Sequence, residues 1–143
     1  MEQLNKVYNA VDIGVNTCIG EGWGLVNTEH AATGVAQVVP NHTSLKEIFH
    51  NQPRIEIESW EVDCNYGLDR GQPSPIDMAD ILNVYYYDRE KLAEMGAQCW
   101  ELVHQEHMTW PYIGDQMLDI VERTLAIKKD SVDEDILPTV RID

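Results

Sequence analysis

The chain has 143 residues, of which 25 are acidic and 10 basic, giving a formal net charge of -15 with a hydrophobic share of 43%. That length suits a single compact domain, residues 1–143, with a core of its own, and the apolar share argues against global disorder. Neither half of the chain is basic, so direct binding to nucleic acid or anionic lipid is disfavoured, while a partner protein with a basic surface is electrostatically easy to approach.

In chain order, Leu4, Val7, Tyr8 and Val11 fall at helical spacing and predict a short helix ending by Gly14. The stretch NTCIGEGWGLVNTEHAATG holds glycines at 20, 22, 24 and 34 without a sustained period and reads as loop or irregular strand. VAQVV before Pro40 reads as a strand. Ser44 and Glu47 are spaced as a capping box and predict a two-turn helix closed by Pro53. RIEIESWEVDC alternates, with Ile55 and Ile57 on one parity and Trp60, Val62 and Cys64 on the other, so a strand with a bulge near Ser59 would bring both sets to one side.

NYGLDRGQPSP reads as an exposed connecting loop. Val84, Tyr85, Tyr86 and Tyr87 favour a strand over residues 81 to 87, although Ser74-Pro75 could equally start a helix to about Leu82. Asp88 is a helix N-cap, and Leu92, Met95, Cys99, Leu102 and Val103 repeat at helical spacing after it, with Pro111 ending that helix. GDQMLDIVERTLAIKK predicts a second long helix with Met117, Ile120, Val121 and Thr124 on one stripe and Lys128 and Lys129 at its negative end. Residues 131–143 form an acidic tail, frayed or docked on a partner. The elements together predict an α+β fold, a small mainly antiparallel sheet covered on one face by the two longer C-terminal helices, with short helices besides.

Two Glu-x-x-His pairs, Glu47/His50 and Glu101/His104, have the spacing of helical ligands in carboxylate-bridged di-iron proteins. At about 100° per residue, however, Glu101 and His104 point away from the Leu92–Val103 stripe and toward water. HQEH at 104–107 matches neither zinc-protease spacing. A metal-binding enzyme using His104 and His107 therefore stands only as a third reading, and no cofactor is expected. IGEGWG resembles a phosphate loop in composition, but no Lys-Ser/Thr follows it and no helix clearly opens there, so a tight turn around Trp23 is expected. Cys18, Cys64 and Cys99 lack C-x-x-C spacing and read as reduced, mostly buried thiols. The sequon Asn41-His42-Thr43 is set aside because the N-terminus lacks the order of a secretory signal, and no window reaches the roughly 18 apolar residues of a membrane span.

The first functional expectation is a non-catalytic protein-binding or assembly subunit in the cytoplasm. By fold-level analogy it suits a phage tail or connector ring, located in the virion. Its partner would be a basic protein surface or further copies of the chain. Tyr85, Tyr86, Tyr87, Glu106 and Trp110 are its candidate contact residues, since exposed aromatics anchor interfaces and Glu106 falls near the apolar stripe before the helix ends. The alternative is an acidic inhibitor that mimics nucleic acid, with Glu56, Glu58, Glu61 and Asp63 in place of phosphates. Strand geometry sets Glu56 and Glu58 about 7 Å apart on one face. The plainest reading of the charge is solubility alone.

Overall fold

The computed structural model describes residues 2–63 and 66–131, excepting the side chains of 127–131. Cys64 and all but the first residue of the expected tail lie outside that range. The fold is α+β, arranged as two compact units, one ending at His104 and the other beginning at Gln105. No helix among the described residues is long and apolar enough to cross a membrane.

In the first unit, α1 (Glu2–Tyr8) leads to β1 (Ile13–Val15), α2 (Leu25–Ala31), β2 (Ala36–Pro40), α3 (Thr43–Ile48) and β3 (Arg54–Ile55). The three strands form a parallel sheet in the order β1-β2-β3, with Gly14 opposite Gln37 and Pro40 opposite Ile55. This corrects the expected mainly antiparallel sheet. Parallel neighbours need a crossover, and α2 supplies one inside the stretch that its glycines made look like loop. The middle strand, β2, is buried along its whole length, as expected for a parallel strand covered on both faces.

Antiparallel pairing is confined to a hairpin, β4 (Ile57–Asp63) with β5 (Leu68–Pro73), so 68–73 is a strand and not the expected loop. Gly67, at φ 64°, makes its turn. The expected bulge is present between Ile57 and Ser59. A Cβ on Gly71 would meet both Ile57 Cγ2, at 3.1 Å, and Trp60 Cη2, at 3.3 Å, so residues of opposite parity do reach one side.

Residues 81–87 are helical, not a strand. They end α4 (Pro75–Tyr87), which Ser74 caps by accepting from the Asp77 amide at 3.4 Å. Helical spacing wins over the β propensity of the tyrosines because Ile81 and Tyr85, one turn apart, then face the same core as Ala36 and Leu92. Asp88 closes α4 and opens α5 (Arg89–Val103), accepting from the Lys91 amide at 2.9 Å. The predicted α5 stripe is the buried one: Leu92, Cys99 and Leu102 are buried, with Met95 and Val103 half-buried. Cys99 packs with Ala31, Val39, Leu45 and Phe49, and burial pushes its thiol up to about 12.

The second unit holds a 3-10 turn (Glu106–Met108) and α6 (Trp110–Ser131). Because α5 ends at Val103, Glu106 does not continue its stripe and is exposed, and Trp110 begins α6 where it was expected to close α5. Pro111, in the first turn of α6, leaves no intrahelical amide unmade.

Two contacts can be tested directly. A Cβ on Gly96 of α5 would stand 2.2 Å from the Gly34 carbonyl oxygen. Gly96→Ala gains about 1 kcal/mol of helix propensity but forces backbone apart at a cost of about 1–3 kcal/mol. The expected result is a lower urea midpoint at unchanged slope; a higher midpoint would show that the close approach is absent.

His30 of α2 is buried, stacked on Tyr8 at 5.0 Å, with Nε2 3.2 Å from the Tyr8 carbonyl. Burial holds its pKa below the ordinary value, partly opposed by that carbonyl. The unfolded chain therefore binds the proton more readily. This contribution to stability is complete above about pH 6.5 and is lost as pH falls toward the folded pKa. Between pH 7 and pH 5, wild type should lose more unfolding free energy than His30→Phe, by an amount read from urea titrations; parallel losses would contradict the assignment.

Candidate functional site

Because β1 and β2 are parallel, the segments that follow them, 16–24 and 41–43, leave the sheet at the same edge. In open α/β sheets ligand crevices form at the carboxyl edge where the strand order reverses; the order β1-β2-β3 of the described strands has no reversal, so the crevice here is made by the two loops and β5. A chain of amides sets the first segment in place. Asn16 donates to Asn27 Oδ1 at 2.7 Å, Asn27 to Gln37 Oε1 at 3.0 Å, and Gln37 to the Val35 carbonyl at 3.0 Å. Asn16 also donates its backbone N–H to the Val38 carbonyl at 2.9 Å, and its Oδ1 accepts the Cys18 amide at 2.7 Å. Further along, the Gly71 amide of β5 donates to the Ile19 carbonyl at 3.2 Å.

Gly24 ends the segment at φ 82° and opens α2, in a conformation that L side chains rarely adopt; a Cβ there would also strike Leu45 Cδ2 at 2.4 Å. A helix thus does open after IGEGWG, contrary to expectation, while Trp23 is partly exposed.

The second segment is held by a buried histidine. His42 Nε2 lies 2.9 Å from the Cys18 carbonyl and Nδ1 lies 3.0 Å from Thr43 Oγ1, with the ring edge-on to Trp60 at 6.2 Å. A carbonyl only accepts, so Nε2 carries the proton. In the neutral ring Nδ1 then accepts from the Thr43 hydroxyl. Thr43 Oγ1 in turn accepts the Glu21 amide at 3.3 Å, and Ser44 donates to the Glu21 carbonyl at 3.0 Å. Ser44 therefore ties α3 to the first segment; it is inside the helix, whose N-cap is His42, and the expected capping box does not form.

Thr43 has φ 47°. For a β-branched residue this is a strained backbone, costing on the order of 1–3 kcal/mol, of the kind that persists where the surroundings over-determine it.

Between these segments and β5 lies a crevice of about 390 Å³, lined by Gly20, Glu21, Gly22, Thr43 and Leu68–Arg70. Among the described residues that line it, the one cation, Arg70, is paired through Nε and a terminal nitrogen with Asp63 Oδ2, at 2.8 and 2.7 Å. Glu21 and Asp69 supply carboxylates, with Glu21 Oε1 accepting the Gly22 amide at 3.0 Å. The described wall thus carries two carboxylates beside one paired arginine. A second cleft, of about 330 Å³, lies at the other end of β1, against α4 and α5 beside the Arg89–Asp12 ion pair.

The residues singled out from the sequence are dispersed. Tyr85 is buried, whereas Tyr86 and Tyr87 are exposed and edge-on to each other at 5.0 Å. Glu56 accepts from Asn41 Nδ2 at 3.1 Å, Asp63 holds Arg70, and Glu58 and Glu61 are exposed on β4. The bulge interrupts any regular row of these four carboxylates. Glu106 and Trp110 are exposed in the second unit. Glu101 and His104 face solvent, as periodicity predicts, and His104 stacks on Trp100 at 4.2 Å. His50 lies beyond the end of α3 and cannot share a helix face with Glu47. Among the described residues no group of three or more His, Cys, Asp or Glu side chains is placed to hold a metal.

Sequence reasoning missed Glu21, His42, Thr43 and Arg70. The available signal was the run from β1 through α2 to β2, since recognising one βαβ unit would have directed attention to the residues after each strand. No protein-family model matches the chain, and no curated protein matches it.

Proposed function

We propose that the unit ending at His104 binds a small hydroxyl-rich molecule in the crevice at the carboxyl ends of β1 and β2. The observation that carries this reading is the crevice itself, placed at the loops that follow the parallel strands β1 and β2 and lined by Glu21, Asp69 and Thr43, with Arg70, the one arginine among its described lining residues, paired with Asp63. Carboxylates accept hydrogen bonds from hydroxyl groups and repel phosphate, and the exposed ring of Trp60, edge-on to His42, offers an apolar face nearby. Titration of 15N-labelled protein with myo-inositol or D-glucose should shift the amides of Glu21, Gly22, Thr43 and Arg70, and orthophosphate should shift them less. Shifts by phosphate alone, or none with either polyol, would overturn the reading.

A second reading, a protein-binding or assembly subunit of the tail-ring or connector kind, is favoured by a separate observation. On α6, Met117, Leu118, Ile120, Val121 and Leu125 are each more than half exposed, an apolar surface that an assembly of further copies would cover. Partners with basic surfaces, including the nucleic-acid enzymes that an acidic mimic would inhibit, belong to the same class of reading, with Glu56, Glu58 and Glu61 as the exposed carboxylates of the four. Sedimentation equilibrium should then show concentration-dependent association of wild type that Val121→Glu abolishes. A monomer at every concentration would count against the ring.

A further inference from the structure

Resting on the crevice reading, we propose that Thr43 is its specificity-determining residue, selecting ligands that donate a hydroxyl proton over those that can only accept. A threonine hydroxyl has one proton and two lone pairs. In the neutral ring the Cys18 carbonyl holds the proton of His42 on Nε2, so the Thr43 proton is directed at Nδ1, 3.0 Å away. One lone pair takes the Glu21 amide at 3.3 Å. Since Thr43 lines the crevice, what it offers a ligand is the remaining lone pair.

The other polar side chains of the wall point the same way. Glu21 and Asp69 accept, and the guanidinium of Arg70 has its Nε and one terminal nitrogen turned to Asp63. A ligand hydroxyl can satisfy the two carboxylates and the Thr43 lone pair; an ether oxygen, a carbonyl or a fluorine cannot. The strained φ of 47° fits this role. Glycine would relax that backbone but carries no hydroxyl, so the strain accompanies a side chain that links Glu21, His42 and the crevice.

The test uses the full chain with myo-inositol and its hexa-O-methyl ether as probes, read by amide shifts at Glu21 and Gly22. Inositol should bind and the ether should not. Thr43→Ser, which keeps the hydroxyl, should hold affinity within about twofold. Thr43→Val should weaken it about tenfold or more, as expected when a hydrogen-bonding site loses its partner group. Thr43→Gly should weaken it likewise while relieving the backbone, and it carries the test if the valine variant fails to fold. Equal binding of the ether, or wild-type affinity in Thr43→Gly, would overturn the assignment of Thr43 while leaving the crevice reading standing. Failure of inositol to move wild-type amides would remove the crevice reading and this assignment with it.

Discussion

The amide chain from Asn16 through Asn27 to Gln37 is the constraint on which the first unit depends. Gln37 is fully buried on the middle strand of a parallel sheet and Asn27 nearly so, and a buried amide without partners costs several kcal/mol on apolar transfer scales. Their side-chain oxygens are satisfied in series, that of Gln37 by Asn27 on α2 and that of Asn27 by Asn16 beyond β1, while the Gln37 amide nitrogen donates to the Val35 carbonyl. The exit of β1, the rotation of α2 and the placing of β2 are therefore one decision, and the crevice inherits its geometry from it.

His42 plays the corresponding part on the second strand. It is a buried polar ring whose two nitrogens both find partners, one in the backbone of the first segment and one in the residue that follows it. Together with Gly71, which draws β5 against the same segment, these bonds make the loop 16–24 a supported wall even though its composition suggests mobility. The glycines of that loop have different uses. Gly24 is required by its left-handed backbone and by Leu45 beneath it, while Gly20 and Gly22 face open space, where a backbone can approach a ligand closely.

What was legible in the sequence was whatever depends on contacts local to one element. The α5 stripe, the Asp88 cap and strand β2 follow from periodicity and capping chemistry alone, and the bulge follows from a change of parity within one strand. What was not legible depends on a neighbour. Tyr85 to Tyr87 favour a strand by themselves, and only the pairing of Ile81 and Tyr85 against Ala36 makes the helix win. β5 carries Arg70, Gly71 and Pro73, a poor strand composition, and is extended because β4 lies beside it to pair with. α2 begins at a glycine and has no side-chain cap, so the usual start signal was missing. Losing α2 meant losing the crossover, and without a crossover the sheet could only be read as antiparallel. The candidate site fell with it: Glu21 and Thr43 lie 22 residues apart and share no motif.

The acid excess takes on a local meaning at this site. Across the chain a charge of -15 is a long-range field that salt screens within about 8–10 Å, and it could serve solubility alone. At the crevice the relevant fact is the pairing of Arg70 with Asp63, which is mostly shielded from solvent. That pair offsets the charge of Arg70 beside the carboxylates of Glu21 and Asp69. The local potential at the proposed site thus depends less on the net charge than on which oxygen Arg70 already faces.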